Sequence, residues 1–397
     1  MKTVDEAIAY LVAQAQAKSE IETRPLSQAL GCVLAQSVVS PVNVPPHDNS
    51  MMDGYAVRAE DIQPGLVLPI SQRIPAGSNP EPLESGRVAR IFTGAPIPAG
   101  ANAVIMQEQA ETSEAGVKFE QMPTFGQNIR QCGEDIKQNA CILEPGQRLR
   151  PQDLALIASV GQAQVAVYKP LKLVTFTTGD ELLEPGAAPQ PGKIYNSNHT
   201  NLMALVMQLG FEWVDLGQVA DTLAATQAAL EKAAQLGDVI ITTGGVSVGE
   251  EDHLKPAVES LGKLDMWQVK MKPGKPLAYG EVLGKPFLGL PGNPVSAFTT
   301  FNLFARPFLM RLQGQAQVEP QSVWVQADFD WSKPGFRREF VRARLQNQHA
   351  KTWAQIYPQQ GSGVLTSTVW AAGLVVIPED SVIQKGDWVE YISFNEF

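Results

Sequence analysis

The sequence predicts a protein of several domains: a central, doubly wound α/β domain, mostly β domains on either side, and a small N-terminal α+β linking domain. Strands and helices alternate from Leu171 to about Gly314, which is typical of a mainly parallel sheet covered by helices. Short strand-like runs punctuated by Gly and Pro fill 41–130 and the chain from Ser322 onward. With 397 residues, the chain is also too long for a single core.

The N-terminal elements predict a linking domain built from two separate segments. Thr3 and Glu6 form a capping box, and the apolar residues from Val4 to Val12 fall on one helix face. A helical pattern returns from Gln152 to Val160, and a strand follows from Gln164 to Tyr168. We therefore expect 1–40 and 135–169 to pack together as the linking domain around a mostly β insertion domain, 41–134.

The α/β domain is predicted over 170–315 and a small C-terminal β domain resembling a barrel over 316–397. Predicted strands of the α/β domain are 171–176, 211–217, 238–245, 266–271, 277–279 and 287–290, and its predicted helices begin near Ser197 (as the N-cap), Thr222, Glu251 and Pro294. Predicted strands of the last domain are 323–327, 340–345, 374–377 and 388–392.

The composition excludes several classes of protein. Hydrophobic residues make up 44% and charged residues 18%, so most of the chain is expected to fold. The 31 Lys and Arg against 41 Asp and Glu leave a net charge of −10, which disfavours a duplex-binding or membrane-surface role. No apolar run reaches the ~18 residues of a membrane span, and the start MKTVDEAIAY is acidic where a secretory signal would be basic. A cytoplasmic protein is expected.

The cysteines indicate neither a zinc site nor a disulfide framework. The chain has three cysteines, an odd number, at Cys32, Cys132 and Cys141. They form no CxxC motif and no histidine lies near them in the sequence. We expect them to be buried small hydrophobic residues. The histidines are too scattered for an HExxH motif or an arguable Ser-His-Asp order.

Loops rich in glycine follow the strands of the α/β domain, at the sheet edge where such domains bind ligands. These loops are Thr178–Glu181, Asp221, Gly244–Asp252 and Pro291–Pro294. Small residues let backbone N–H groups approach phosphate oxygens, although plain tight turns would explain any one loop. The spacing of Gly244 and Gly249 imitates a P-loop, but Glu250 replaces its lysine. No GxGxxG follows the first strand, so a nicotinamide dinucleotide is not expected either.

Carboxylates gather in the same loops, namely Asp180, Glu181, Asp221, Glu250, Glu251 and Asp252. Mg²⁺ prefers one or two carboxylates together with waters and substrate phosphates, so this set could hold a metal that neutralises a diphosphate. The alternative is that Glu250 and Glu251 only complement a helix dipole.

Two further turns are predicted to bind an anion. In 270–276, alternation would place Lys270 and Lys272 on one strand face, while a rigid Pro-Gly frame aims Lys275; a solvated charge run is the alternative. In 290–296, Asn293 as N-cap and Pro294 at the first helical position leave free N–H groups, although capping alone would also explain this sequence.

Turns at 48–56 and 92–95 of the β insertion need no function by themselves. Taken together with the loops of the α/β domain, however, the sequence motifs of these turns resemble those of the MoeA family of molybdopterin molybdenumtransferases, which is related to the E domain of gephyrin. The six collinear motifs are PPHDNSMMDGYAVR, IFTGAPIPAGANAVIMQE, TTGDEL, ITTGGVSVGEEDHLK, KPGKPLAYG and LPGNPVSAF.

This resemblance implies a homodimer of four-domain subunits in which a MogA-like α/β domain faces the β insertion of the partner. It also implies Mg²⁺-dependent transfer of molybdenum from molybdate to adenylylated molybdopterin, which releases AMP and molybdenum cofactor. The adenylyltransferase domain fused in gephyrin is not expected here. The adenylylated substrate should then come from a separate molybdopterin adenylyltransferase, and molybdoenzyme-maturation proteins are further candidate partners.

The resemblance also assigns site residues through matching motif positions. The implied catalytic residues are Asp53, Thr93, Glu181, Asp221 and Asp252, of which the last three are also the implied Mg²⁺ ligands. The implied substrate-binding residues are Gly244, Gly245, Ser247, Gly249, Lys272, Lys275, Pro276, Pro291, Asn293 and Pro294, with Arg342 and Ser362 on a looser alignment. Molybdate is a tetrahedral dianion, which suits the lysine turn, and a carboxylate-held Mg²⁺ suits a diphosphate.

Two other interpretations remain open at this point. A related α/β domain also serves the ATP-dependent adenylylation of molybdopterin, although the β insertion and the C-terminal domain argue against that activity. The second is a non-catalytic scaffold, as the E domain of gephyrin partly is.

Overall fold

The computed structural model describes residues 1–16, 20–246, 253–348 and 351–397. The elements before residue 170 are α1 (Val4–Gln14), β1 (Ile21–Pro25), β2 (Val38–Val39), β3 (Asn49–Ser50), β4 (Gly54–Val57), β5 (Ile70–Ile74), β6 (Val88–Ile91), β7 (Ala103–Met106), β8 (Ala110–Ser113), β9 (Gly116–Phe119), β10 (Ile129–Arg130), β11 (Cys141–Leu143), α2 (Pro151–Ser159) and β12 (Gln164–Tyr168). Short 3₁₀ turns lie at Leu26–Gln28, Ala59–Asp61 and Gln107–Gln109.

The first helix begins where the sequence predicts. The hydroxyl of Thr3 accepts a hydrogen bond from the Glu6 N–H, and the Glu6 carboxylate accepts one from the Thr3 N–H, which completes the capping box. The buried face of α1 packs into the large core of the α/β region beside Phe304 and Phe308. Strand β1 pairs with β12 and β2 with β11, so segments from both sides of the β insertion share backbone hydrogen bonds.

The β insertion contains a four-stranded sheet in the order β5-β6-β4-β7, together with the hairpin β8-β9. The two faces of this sheet bury separate small cores, one around Tyr55 and Phe119 and the other around Ile74 and Ile91. The insertion therefore has its own hydrophobic support for the loops at its strand ends.

Strands and helices alternate in the next region, as predicted. The elements are β13 (Lys172–Thr178), β14 (Leu182–Leu183), β15 (Ile194–Tyr195), α3 (Ser197–Gln208), β16 (Glu212–Val219), α4 (Leu223–Leu236), β17 (Val239–Thr243), α5 (Leu254–Leu261), β18 (Gly262–Gln268), β19 (Met271–Lys272), β20 (Pro276–Val282), β21 (Lys285–Leu290), α6 (Pro294–Thr300) and α7 (Arg306–Leu312), with a π-helical turn (Phe301–Ala305) between α6 and α7.

The sheet of this region has the order β16-β13-β17-β21-β20-β18. Its first four strands are parallel, and β20 alone runs in the opposite direction, antiparallel to both β21 and β18, which confirms a mainly parallel, doubly wound sheet. All residues of β17 are buried, as expected for a central strand covered on both faces. The carboxyl ends of β16, β13, β17 and β21 consequently meet at one edge.

The last region forms a closed barrel, as predicted. Its elements are β22 (Ser322–Ala327), β23 (Arg338–Gln348), β24 (Lys351–Ile356), α8 (Thr366–Trp370), β25 (Gly373–Ile377) and β26 (Trp388–Ser393), followed by a 3₁₀ turn (Phe394–Glu396). Strand β23 pairs with both β24 and β25, and this pairing closes the ring β23-β24-β22-β26-β25. The sequence analysis did not predict β24 or α8.

Three sequence predictions are wrong in detail. Asn196, rather than Ser197, is the N-cap of α3, because its side chain accepts a hydrogen bond from the His199 N–H. Lys270 and Lys272 do not share a strand: the chain bends at Lys270, whose N–H donates to the Lys2 carbonyl, and β19 then joins β23 of the barrel.

The third error concerns the cysteines. Cys132 and Cys141 are exposed and Cys32 is half-buried, so they are not buried hydrophobic residues. Cys132 lies in a turn where its thiol donates to the Pro46 carbonyl at 3.2 Å, which gives it a polar role near the surface. In the described part of the chain, no helix combines the length and apolar character that a membrane span requires.

Candidate functional site

Asp53 and Thr93 form a direct pair in the β insertion. The backbone N–H and the hydroxyl of Thr93 both donate to Asp53 Oδ1 at 2.8 Å. These hydrogen bonds, and to a smaller extent the nearby charge of Arg90, hold the pKa of Asp53 below its usual range. The half-buried Asp53 is therefore a carboxylate rather than a general acid at neutral pH, and the exposed Thr93 fixes its orientation.

The predicted carboxylates of the α/β domain lie at neighbouring strand ends. Glu181 follows β13 and is exposed, while Asp221 follows β16 and is half-buried. Gln218 joins the two loops, because its side-chain amide donates to the Gly179 carbonyl at 2.8 Å. Ser247, Gly249, Glu250, Glu251 and Asp252 lie outside the described residues.

The described residues alone do not form a metal site with three acidic, histidine or cysteine ligands. The two carboxylates nevertheless fit Mg²⁺, which takes one or two carboxylates and completes its octahedron with water and phosphate oxygens. The chemistry of the donor set therefore agrees with the predicted ion.

A glycine cradle lies at the centre of the same edge. Gly244 has φ +90°, and a Cβ on it would lie 2.5 Å from the Thr178 carbonyl oxygen. A Cβ on Gly292 would lie 3.7 Å from the Gly244 Cα. Gly245 is also left-handed, with φ +64°. The loops after β13 and β17 thus approach each other so closely that no side chain fits at Gly244, while the loop after β21 is in ordinary van der Waals contact with them.

Asn198 is a residue of this edge that the sequence analysis missed. Its amide nitrogen donates to Thr243 Oγ1 at 2.7 Å and to the Gly292 carbonyl at 2.8 Å, which ties α3 to two of the loops. Its Oδ1 is buried and has no hydrogen-bond partner in the described ranges, like the hydroxyls of Thr178 and Thr242. Buried polar atoms of this kind can bond to a water molecule or to a ligand. The NSN sequence at the start of a helix was the available signal.

The lysine turn joins the α/β sheet to the barrel. Lys272 Nζ lies 3.0 Å from Glu339 Oε2, whereas Lys275 is exposed and forms no ion pair within the described chain. A Cβ on Gly274, at φ +101°, would lie 2.5 Å from Thr300 Cγ2, so the turn packs tightly on α6. Pro276 then begins β20. The two lysines therefore differ, since only Lys272 is already partly neutralised.

The turn before α6 has the predicted N-cap and first helical residue, but its N-cap side chain does not bond the helix backbone. Pro291 is buried, Asn293 is the N-cap, and Pro294 is the first helical residue. The Asn293 side chain makes no capping hydrogen bond. The Val295 N–H donates to the Ser362 carbonyl at 3.0 Å, which brings the 360–365 loop of the barrel, just before α8, to this helix end.

Arg342 holds that loop from inside the barrel. Its Nε donates to Ser367 Oγ at 3.0 Å and its Nη2 to the Gly361 carbonyl at 3.1 Å. The residue is only 1% exposed, and this burial lowers the pKa of its guanidinium to about 10. Arg342 is therefore still charged at neutral pH, and its described contacts position the loop that carries Ser362.

The structure thus places the loop of Ser362 and the glycine cradle, through Gly292, at the N-terminal end of α6, whereas the lysine turn packs on Thr300 at the other end of that helix. The hydrogen bonds of Asp53 and Thr93, by contrast, all stay within the β insertion in the described part of the chain.

Comparisons with known proteins cover nearly the whole chain. Three family models match: "MoeA N-terminal region (domain I and II)" over 2–161, "Probable molybdopterin binding domain" over 174–311, and "MoeA C-terminal region (domain IV)" over 325–394. A molybdopterin molybdenumtransferase of Haemophilus influenzae is 39% identical and covers 100% of this chain and 99% of its own. Molybdopterin molybdenumtransferase 2 of Mycobacterium tuberculosis is 37% identical and covers 91% of each chain.

Solved structures agree with these relatives. The crystal structure of a molybdopterin biosynthesis MoeA protein from Pyrococcus horikoshii OT3 superposes with a TM-score of 0.87 at 30% identity, covering 99% of this chain and 100% of that one. A second crystal structure of MoeA from the same species gives a TM-score of 0.81 at 31% identity, covering 99% and 98%. The chain therefore belongs to the MoeA family of molybdopterin molybdenumtransferases.

Proposed function

We propose that this protein inserts molybdenum from molybdate into adenylylated molybdopterin, releasing AMP and forming molybdenum cofactor. The observation that carries the proposal is the end-to-end similarity to relatives named molybdopterin molybdenumtransferase, with all six motifs present in order. The geometry supports it, because a turn with two lysines and a polar, glycine-lined cradle lie in the same α/β region.

The lysine turn is the proposed molybdate site. Lys272 and Lys275 supply positive charge to a tetrahedral dianion in a protein of net charge −10. The backbone of the α6 turn, at Asn293 and Pro294, and the loop of Ser362, which bind each other through Val295, are further proposed contacts of the substrate. Arg342 holds that loop in place and so acts as a positioning residue.

The glycine cradle is the proposed site of the diphosphate link. Gly244, Gly245, Ser247 and Gly249 would approach the phosphate oxygens closely, as small residues permit. Glu181, Asp221 and Asp252 are the proposed holders of Mg²⁺. When bound, the ion would neutralise charge on the diphosphate as AMP leaves.

Asp53 and Thr93 are proposed to act from a second subunit. Since their described hydrogen bonds do not reach the strand edge of their own chain, a homodimer that places the β insertion of one subunit against the α/β domain of the other would complete the site. The four domain ranges predicted from the sequence remain part of this proposal.

The test is AMP release from adenylylated molybdopterin with and without molybdate. Release that depends on molybdate would support insertion. An adenylyltransferase would instead form the adenylylated compound from ATP, and a scaffold would release nothing. In Asp252→Asn the side chain keeps its shape and loses its charge, so AMP release should fall while the fold is kept; unchanged rates at saturating Mg²⁺ would remove Asp252 from the metal site.

A further inference from the structure

Two arginines face each other across neighbouring strands of the β insertion. Arg73 on β5 and Arg90 on β6 are direct partners in the parallel pairing of these strands. Like charges on opposed positions of a sheet repel and reduce stability. Neither guanidinium forms an ion pair with a carboxylate in the described ranges of the chain. Arg90 lies near the Asp53 carboxylate and its Nη2 donates to Gln107 Oε1, so within the described ranges only Arg73 has no polar partner for its guanidinium.

An aromatic ring holds both guanidinium groups. The guanidinium carbon of Arg73 lies 4.4 Å from the ring centroid of Phe92, and that of Arg90 lies 4.6 Å from the same centroid. Arg90 also lies 5.3 Å from the Tyr55 ring centroid and donates to the Gly54 carbonyl at 2.8 Å. Cation–π contact of this kind offsets part of the repulsion and limits the movement of the two charges.

The pair borders the predicted catalytic residues of the insertion. Phe92 directly precedes Thr93, whose N–H and hydroxyl bind Asp53. Arg73 is exposed and its side chain makes no hydrogen bond in the described part of the chain, so its guanidinium donors are available to a ligand. A built cationic surface thus lies beside the carboxylate that the proposed reaction uses.

We propose that Arg73, which is held beside Arg90 against Phe92, binds phosphoryl oxygens of the diphosphate in the adenylylated substrate. The inference rests on the proposed function and names a further substrate contact for it. Guanidinium groups present several planar N–H donors, which match phosphate oxygens better than a single ammonium does. In a chain of net charge −10, an anionic substrate needs such a local positive surface.

The test compares Arg73→Gln with Arg87→Gln in the full-length protein. Arg87 is a matched control, since it immediately precedes β6, is exposed and already pairs with Glu84 at 3.3 Å. Loss of one charge-assisted contact should raise the KM for the adenylylated pterin about ten- to a hundred-fold in Arg73→Gln. The Arg87→Gln variant should match wild type, and half-saturation by molybdate should stay the same in both.

Thermal unfolding separates binding from a structural role. Removing one of two opposed like charges should leave the melting temperature of Arg73→Gln equal to or above that of wild type, whereas a structural arginine would lower it. Arg73→Lys keeps the charge without the planar donors, so its KM should lie between those of wild type and Arg73→Gln. An unchanged KM in Arg73→Gln, or an equal rise in Arg87→Gln, would overturn the inference.

Calorimetry with inorganic pyrophosphate distinguishes failure of the arginine site from failure of the proposed function. If wild type releases no AMP on addition of molybdate, the proposed reaction is wrong. Pyrophosphate should still bind wild type about ten-fold or more tightly than it binds Arg73→Gln. Equal affinity of the two proteins for pyrophosphate would refute the arginine site independently of the reaction.

Discussion

Replacing Lys272 by Met should lower both the stability of the protein and its affinity for molybdate, and the structure shows how to separate these two effects. Lys272 Nζ lies 3.0 Å from Glu339 Oε2; the lysine side chain is 48% exposed and the glutamate side chain 11%. In Lys272→Met, the nearly buried carboxylate would lose its cation. The same substitution would remove a positive charge from the proposed molybdate site.

The two effects have different expected sizes. Breaking a fully buried ion pair costs about 3–5 kcal/mol, but the lysine end of this pair is open to solvent, so we expect a loss of about 1–3 kcal/mol in stability. Loss of a charge-assisted contact to molybdate should cost about 1.5–3 kcal/mol, which corresponds to a roughly ten- to hundred-fold higher half-saturation.

The double variant Lys272→Met with Glu339→Gln separates the effects. It removes the unpaired Glu339 carboxylate, so the thermal midpoint should return close to that of wild type. Half-saturation by molybdate should remain at the higher concentration. Lys275 forms no ion pair in the described ranges, so Lys275→Ala should shift the molybdate curve with little change in stability. The assays are AMP release against molybdate concentration and thermal unfolding.

Two results would refute this reasoning. If Lys272→Met and Lys275→Ala leave half-saturation by molybdate untouched while binding of the adenylylated pterin collapses, the lysines bind the nucleotide or the pterin phosphate. If the double variant is no more stable than Lys272→Met, then the unpaired Glu339 carboxylate is not the cause of the lost stability.

The remaining predictions concern the other parts of the site. Asp53→Asn should lower AMP release without unfolding the protein. Because the pKa of Asp53 is depressed, the ionised carboxylate and its contribution to stability should persist as the pH falls through about 4 and disappear only below that. The measurement is the difference in thermal midpoint between wild type and the variant as a function of pH. Asn198→Leu removes hydrogen bonds to Thr243 and Gly292 and should cost about 1–3 kcal/mol, read as a lower thermal midpoint; an unchanged midpoint would show that α3 does not hold these loops. Removal of divalent cations by a chelator should abolish AMP release, and added Mg²⁺ should restore it. AMP release that survives the chelator would exclude a role of the metal in the reaction. Light scattering should give twice the chain mass of 43.0 kDa, and a fully active monomer would remove the shared site.

Features that depend on neighbours in the sequence were predictable. The capping box of Thr3 and Glu6, the alternation that produces the mainly parallel sheet, and the four loops after its strands all follow from short-range patterns. Parallel strands bring their carboxyl ends to one edge, so residues such as Glu181 and Asp221 could be assigned to a common region before any coordinates. The family resemblance likewise depends only on the order of the motifs.

Contacts between distant parts of the chain could be decided only by the tertiary structure. The partner of Lys272 is Glu339 on a strand of another domain, because β19 leaves the α/β sheet and pairs with the barrel. Periodicity in 270–276 cannot reveal this, since a short strand can satisfy its backbone hydrogen bonds with any available edge. The burial of Arg342 and the opposed charges of Arg73 and Arg90 depend in the same way on packing and register, which local sequence does not specify.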